Sequence, residues 1–236
     1  MAFEVSSPEI EFALEVAERS GRLARVIQQG LAQPALAKED RSPVTVADFA
    51  VQSLVGWLLE RKLGSDTLVA EEDTQLLRAE DGGQTLEQVA GFLSEEGLPA
   101  DGESVLQWID RGTGAARGRF WTLDPIDGTK GFLRKAQFAT ALALVEEGRV
   151  QIAVLACPNL PVPGNSPAQF GSLFAAVRGQ GAWMRPLQGE AEFQPLRVSS
   201  VSDPAQARLL RSVEAGHTNT SLFERILHHL GSTIEP

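Results

Sequence analysis

Cysteine occurs once, at Cys157, so no disulfide can form within the chain, and the composition fits a reducing compartment. No charged residue adjoins Cys157 in sequence, so it reads as a packing residue. Three histidines in 236 residues exclude a histidine-rich metal cage. No run approaches the roughly 18 consecutive apolar residues of a membrane span. Residues 1–11 carry three glutamates and no lysine or arginine, which argues against a leader peptide and for a cytoplasmic protein. Basic residues are outnumbered, 21 against 31 acidic, and they form no stripe. The net charge of −10 therefore argues against a nucleic-acid polymer as partner. It does not exclude an anionic small molecule, because acids that hold a cation invert the local sign for phosphate. There are no repeats and no low-complexity tracts. Oligomeric state is not legible.

The chemistry is concentrated in nine residues, Leu123-Asp124-Pro125-Ile126-Asp127-Gly128-Thr129-Lys130-Gly131. The apolar run Phe120-Trp121-Thr122-Leu123 reads as a buried strand, and Asp124 and Asp127 stand where it ends. Pro125 interrupts regular structure between them. Oxygen donors on a stiff turn suit a hard divalent cation. Free backbone amides at Gly128 and Thr129, opening a helical turn, suit a phosphate. A metal beside a phosphate points to metal-assisted phosphoryl transfer to water. Asp-Gly is also a common turn pair. An EF-hand is excluded, since its loop needs glycine at the sixth position and this chain has Thr129. Glu71 follows the short strand Thr67-Leu68-Val69-Ala70, and Asp48 lies in Ser42-Pro43-Val44-Thr45-Val46-Ala47-Asp48. Taken singly, each also reads as a solvated surface acid.

Ser7 caps a first helix with Pro8 at its first position, and apolar residues from Ile10 to Leu31 keep helical spacing. A second helix is predicted over 45–63, with Asp48 in its first turns. Residues 74–104 read as an acidic excursion, irregular or partly helical, and 111–119 as a loop. Its glycines miss the dinucleotide fingerprint, because Arg117 occupies the third glycine position. Residues 138–146 with 150–156, and 172–177 with 182–185, read as two hairpins. A connection over 198–204, a strand over 209–214 and a helix over 221–230 complete the chain. Helices first and hairpins after predict helices packed on an antiparallel sheet, α+β moving into α/β.

The segment Trp121 to Arg134, with Ser42-Pro43-Val44-Thr45 before Asp48 and Ser212-Val213-Glu214-Ala215-Gly216-His217 downstream, resembles the inositol monophosphatase superfamily of Mg²⁺-dependent, Li⁺-sensitive phosphatases. Lys130-Gly131-Phe132-Leu133 after the threonine is similar to the 3'(2'),5'-bisphosphate nucleotidase branch. The resemblance runs from residue 8 to about 232. It implies a layered α-β-α-β-α sugar-phosphatase-type fold, with an N-terminal domain over 1–197 carrying the metal site. A second domain would begin at 198–236 and be incomplete, because family members continue into a Trp-Asp helix start that supplies another metal aspartate. The one Asp after Asp127 here is Asp203, which lacks that context. The resemblance further implies that Glu71, Asp124, Asp127 and the Ile126 carbonyl hold two or three Mg²⁺ ions. It makes Asp48 and Thr129 the pair that orients the attacking water, with Gly128, Thr129 and His217 on the substrate. The implied substrate is a small nucleotide bisphosphate, adenosine 3',5'-bisphosphate or its sulfated relative. An inositol polyphosphate or sugar phosphatase, or an inactive metal- or phosphate-binding fragment, stands as the alternative.

Overall fold

Ser7 opens the first helix as its sequence position implies: its carbonyl accepts the Glu11 N–H at 3.1 Å and its hydroxyl the Ile10 N–H at 3.3 Å. In the computed structural model, residues 7–30, 36–37, 43–162, 170–189, 191–203 and 206 are described, with 222, 225, 226 and 229 beyond them. The elements in chain order are α1 (Pro8–Gly30), β1 (Leu36–Ala37), β2 (Pro43–Val44), α2 (Val46–Lys62), β3 (Leu68–Ala70), α3 (Gln75–Arg78), α4 (Gly83–Glu95) and α5 (Gly102–Asp110). Then follow β4 (Arg119–Asp127), α6 (Thr129–Leu133), β5 (Ala139–Glu146), β6 (Arg149–Pro161), β7 (Phe170–Val177), β8 (Gly181–Pro186) and β9 (Gln194–Leu196).

Seven strands form one sheet in sequence order, β3 to β9. From β4 onward every pair is antiparallel, as two-residue and other short connections require. The sheet is nevertheless mixed, because β3 runs parallel to β4. A parallel pair needs a long crossover, and α3, α4 and α5 supply it. The 74–104 excursion is thus more helical than its acidic, glycine-containing composition announced. Leu86, Val89, Ala90 and Leu93 recur at helical spacing on α4, with Val89 and Leu93 fully buried. Asp101 caps α5 by accepting the Ser104 N–H at 2.8 Å.

Helices α1 and α2 pack together and cover one face of the sheet, α1 against β5, β6 and β7 and α2 against β4, α4 and α5. The core runs between them: Phe12 meets Trp121 edge to face at 4.9 Å, both fully buried. Such a pair is worth about 0.5–1.5 kcal/mol beyond its buried area. α2 and α5 approach backbone to backbone at Gly56, where a Cβ would stand 2.3 Å from the Trp108 carbonyl oxygen.

The chain divides into two units, Met1–Leu196 and Arg197–Pro236. In the second, Leu222, Arg225, Ile226 and His229 are helical, within the helix expected over 221–230. The expected strand over 209–214 lies outside the described residues. Among the described residues no helix is long and apolar enough to cross a membrane.

Candidate metal and phosphate site

The parallel pairing of β3 with β4 creates the site. Ala70 is in register with Leu123, so Glu71, just past the end of β3, stands beside Asp124 of β4 although 53 positions separate them in sequence. The motif itself is less a turn than its sequence reads. Strand β4 continues through Asp127. Asp124 pairs with Ala141 and Asp127 with Ala139, three steps on β4 against two on β5. That extra residue is a bulge. It changes the parity of the strand: residues three apart normally face opposite sides of a sheet, and the bulge returns Asp124 and Asp127 to the same side. Pro125 fits here because a bulge tolerates a missing N–H, and its carbonyl accepts the buried Thr140 hydroxyl at 2.8 Å.

After Asp127 the chain reverses through Gly128, whose φ of +86° is left-handed and open to glycine at little cost. Thr129 begins α6, and its hydroxyl donates to the Ile126 carbonyl at 3.1 Å. That carbonyl keeps a second lone pair for another partner. α6 is pinned from behind. The Gln28 side chain donates to the Phe132 carbonyl at 2.9 Å, Asn159 donates to Gln28 at 2.8 Å, and Phe132 packs edge to face on Phe138 at 4.9 Å. α6 also packs against β2, the two residues that lead into α2.

Asp48 occupies the third position of α2 in a capping box. Its Oδ2 accepts the Thr45 N–H at 2.8 Å and the Thr45 hydroxyl at 2.7 Å, while the Thr45 oxygen accepts the Ala47 N–H at 3.1 Å. Asp48 and Thr129 therefore each bond to a residue three positions earlier in the chain, Thr45 and Ile126, and not to each other. Asp48 is 2% exposed. Burial pushes its carboxyl up to about 7 against the Thr45 hydrogen bonds, and the fields of Glu72 and Glu71 add to the rise. Burial also pushes Asp124 up to about 7, together with the charges of Glu71 and Asp127 and a hydrogen bond to Glu71. Two carboxyls at hydrogen-bonding distance need a proton or a cation between them.

The acids lie within one another's electrostatic reach: the charges of Glu72 and Glu71 act on Asp48, and those of Glu71 and Asp127 on Asp124. Among the described residues, no group of three or more His, Cys, Asp or Glu side chains is arranged to hold a metal ion. The chemistry of the donors present fits a hard cation: carboxylate and carbonyl oxygens, with Asp124 Oδ1 buried and without a hydrogen-bond partner. The nearby sulfur is a poor ligand, because burial and the charge of Asp127 push the Cys157 thiol up to about 11. Cys157 thus has a charged neighbour in space that its sequence context does not reveal. Glu71 and Asp127 are exposed and Thr129 is half-buried. His217 lies outside the described residues. Two residues that sequence reading missed belong to this region. Glu72 is 5% exposed, and Gln52 is fully buried one helical turn after Asp48. The i, i+4 spacing of Asp48 and Gln52 was the available signal.

Residues 7–233 match the family model described as the inositol monophosphatase family, and the chain belongs to that family. Within it, the chain is 39% identical over 257 residues to 3'(2'),5'-bisphosphate nucleotidase 1 of Arabidopsis thaliana, covering all of this chain and 72% of the plant protein. It is 37% identical over 228 residues to the 3'(2'),5'-bisphosphate nucleotidase of Schizosaccharomyces pombe, covering 90% of this chain and 64% of the yeast protein. Among solved structures, an IMPase of Thermotoga maritima superposes with a TM-score of 0.53 at 19% identity, over 84% of this chain and 56% of that one. The extragenic suppressor protein suhB of Bartonella henselae gives 0.52 at 19%, over 83% and 56%. The chain thus spans just over half the length of these solved chains, and the likeness establishes the layered α+β fold.

Proposed function

We propose that the protein is a Mg²⁺-dependent phosphomonoesterase that removes the 3'-phosphate of adenosine 3',5'-bisphosphate, and of its 5'-phosphosulfate relative, by attack of water. The observation that supports this reading is the parallel β3–β4 register, which sets Glu71 beside Asp124, together with the bulge that returns Asp127 to the face of Asp124 and one buried Asp124 oxygen without a hydrogen-bond partner. Similarity along the whole chain to nucleotidases supports the substrate class. Glu71, Asp124, Asp127 and the Ile126 carbonyl are the residues that would hold two or three Mg²⁺ ions. When bound, magnesium supplies charge for the transferring phosphoryl group and lowers the pKa of a bound water.

The chain's own residues do the rest. Asp48 has its second carboxylate oxygen, Oδ2, occupied by Thr45, so the capping box orients the carboxyl. A buried carboxyl with a pKa near 7 is poised to accept a proton at neutral pH. Thr129 stands at the start of α6 with its hydroxyl on the Ile126 carbonyl, which aims its lone pairs away from that oxygen. The Gly128 and Thr129 amides are the proposed phosphate donors, with His217 on the second phosphate. No covalent intermediate is required. N-terminal residues 1–197 form the proposed site-bearing domain, and a cytoplasmic location remains part of the proposal.

The test is phosphate release from adenosine 3',5'-bisphosphate with Mg²⁺, for wild type and Asp127→Asn, with an inositol phosphate in parallel. Wild type should prefer the nucleotide. Asp127 is exposed, so the variant should fold normally while losing about a hundredfold or more in rate, the scale of removing one group that stabilises developing charge. Undiminished release by the variant would refute the metal role, and a preference for the inositol phosphate would replace the substrate.

A further inference from the structure

Gln52 joins three elements through one side-chain amide. Its Oε1 accepts the Glu72 N–H at 3.0 Å, and its Nε2 donates to the Glu72 carbonyl at 2.7 Å and the Ile109 carbonyl at 3.0 Å. One orientation of the amide satisfies all three: the flipped form would set NH₂ against an N–H and an oxygen against two carbonyls. The side chain has no exposed surface. Gly112 walls it in, since a Cβ there would stand 2.6 Å from Nε2. Gly112 in turn receives the Ala70 N–H on its carbonyl at 2.8 Å, which holds the last residue of β3.

The location gives these bonds a consequence. Both backbone polar groups of Glu72 are engaged, one in each of the peptide units flanking it, so the backbone directly after Glu71 is held in position and orientation. The clamp sits on α2 one turn after Asp48, on the same side of the helix. One helix face thus carries an acid of the site and the grip on the chain segment that presents another. α5 enters through its last turn, at Ile109, so the crossover helices register on the same amide.

We propose that Gln52 is a positioning residue for the metal site: by locking Glu72 to α2 it sets the spacing and aim of Glu71 relative to Asp48 and Asp124. It touches neither substrate nor cation. The inference rests on the proposed role of Glu71 in holding Mg²⁺. Partners that orient ligating carboxylates typically change metal affinity 10- to 100-fold when removed. A side chain that merely filled the core would change stability and leave affinity alone.

The test compares the full chain with Gln52→Met, which keeps length and apolar volume and removes the three hydrogen bonds. Leu93→Ala, a fully buried position on α4, serves as a control destabilised away from the site. Mg²⁺ affinity is measured by titration calorimetry below the melting temperature of every variant, with circular dichroism to establish folding. Gln52→Met should bind Mg²⁺ about 10- to 100-fold more weakly than wild type, and its phosphate release should recover as Mg²⁺ is raised. Leu93→Ala should keep wild-type affinity. Gln52→Asn, which leaves an amide in the pocket but withdraws it by one methylene, carries the same expectation should the methionine variant not fold. Wild-type affinity in a folded Gln52 variant, with affinity lost in Asp127→Asn, overturns the positioning role alone. Wild-type affinity in Asp127→Asn overturns the metal reading of the site and this proposal with it.

Discussion

Asp48 caps a helix and is also a residue of the proposed site. As the third residue of α2 it accepts two hydrogen bonds from Thr45, a capping arrangement worth about 0.5–2 kcal/mol. As a buried acid facing Glu72 and Glu71, it is costly to ionise. Its pKa is raised from 3.8 unfolded to about 7 folded, so the folded protein binds the proton more tightly. The stability this group contributes is complete below about pH 4 and is lost as pH rises through about 7. Asp124 adds in the same direction. Asp48→Asn removes the titration and keeps an oxygen acceptor. In EDTA, urea denaturation should therefore show the variant gaining on wild type between pH 5 and pH 8. A gap that stays constant over that range would show that burial of Asp48 does not oppose its ionisation.

At the scale of elements, helix packing opposes helix propensity, and the distances decide which wins. Alanine is favoured over glycine in a helix interior by about 1 kcal/mol. At Gly56 that gain meets a Trp108 carbonyl oxygen 2.3 Å from the new Cβ, so α2 and α5 must separate. Forcing extra volume into a packed contact costs about 1–3 kcal/mol, which exceeds the propensity gain. Gly91 on α4 is exposed with nothing within 4 Å of a Cβ. Gly56→Ala should destabilise and Gly91→Ala should stabilise by about 0.5–1 kcal/mol, read from the urea midpoints at constant slope. Stabilisation at both positions would mean that α2 and α5 are not in backbone contact. The separation would also loosen Gln52 from Ile109, since Gly56 lies one turn beyond Gln52 on the same helix face.

In a molecule of net charge −10, several acids crowd at the ends of β3 and β4, where the charges of Glu71 and Asp127 raise the pKa of Asp124. Simple salt screens such a field without selecting a place in it. A cation held by Glu71, Asp124 and Asp127 would bind the folded state and stabilise it by mass action. At a hundred times its dissociation constant this amounts to about 2.7 kcal/mol, or roughly 5–10 °C in melting temperature for a chain of this size. MgCl₂ should raise the melting temperature by that amount beyond NaCl of equal ionic strength, and EDTA should remove the difference. Equal shifts from both salts would mean screening and no site. The partly exposed ion pairs of Arg119 with Glu9, Asp66 and Glu146 should respond to both salts alike.

Local chemistry was legible in the chain itself. The Ser7 start, the Thr45–Asp48 helix start, both hairpins and the Asp-Pro-Ile-Asp-Gly-Thr segment depend on propensities and hydrogen bonds within a few residues. For that reason sequence spacing was enough to read them, and the motif was specific enough to indicate the family. Three features depended on contacts between distant segments. Glu71 meets Asp124 through the parallel register of β3 with β4, which no property of either segment encodes. The bulge between Asp124 and Asp127 is defined against β5, and it decides that two acids of opposite parity share a face. The role of Gln52 arises from the backbone it meets at Glu72 and Ile109, 20 and 57 residues away. A buried glutamine reads in sequence as any helix residue. Its meaning lies in which main-chain groups the fold leaves unsatisfied beside it, because a buried N–H or C=O without a partner is costly wherever in the chain it originates.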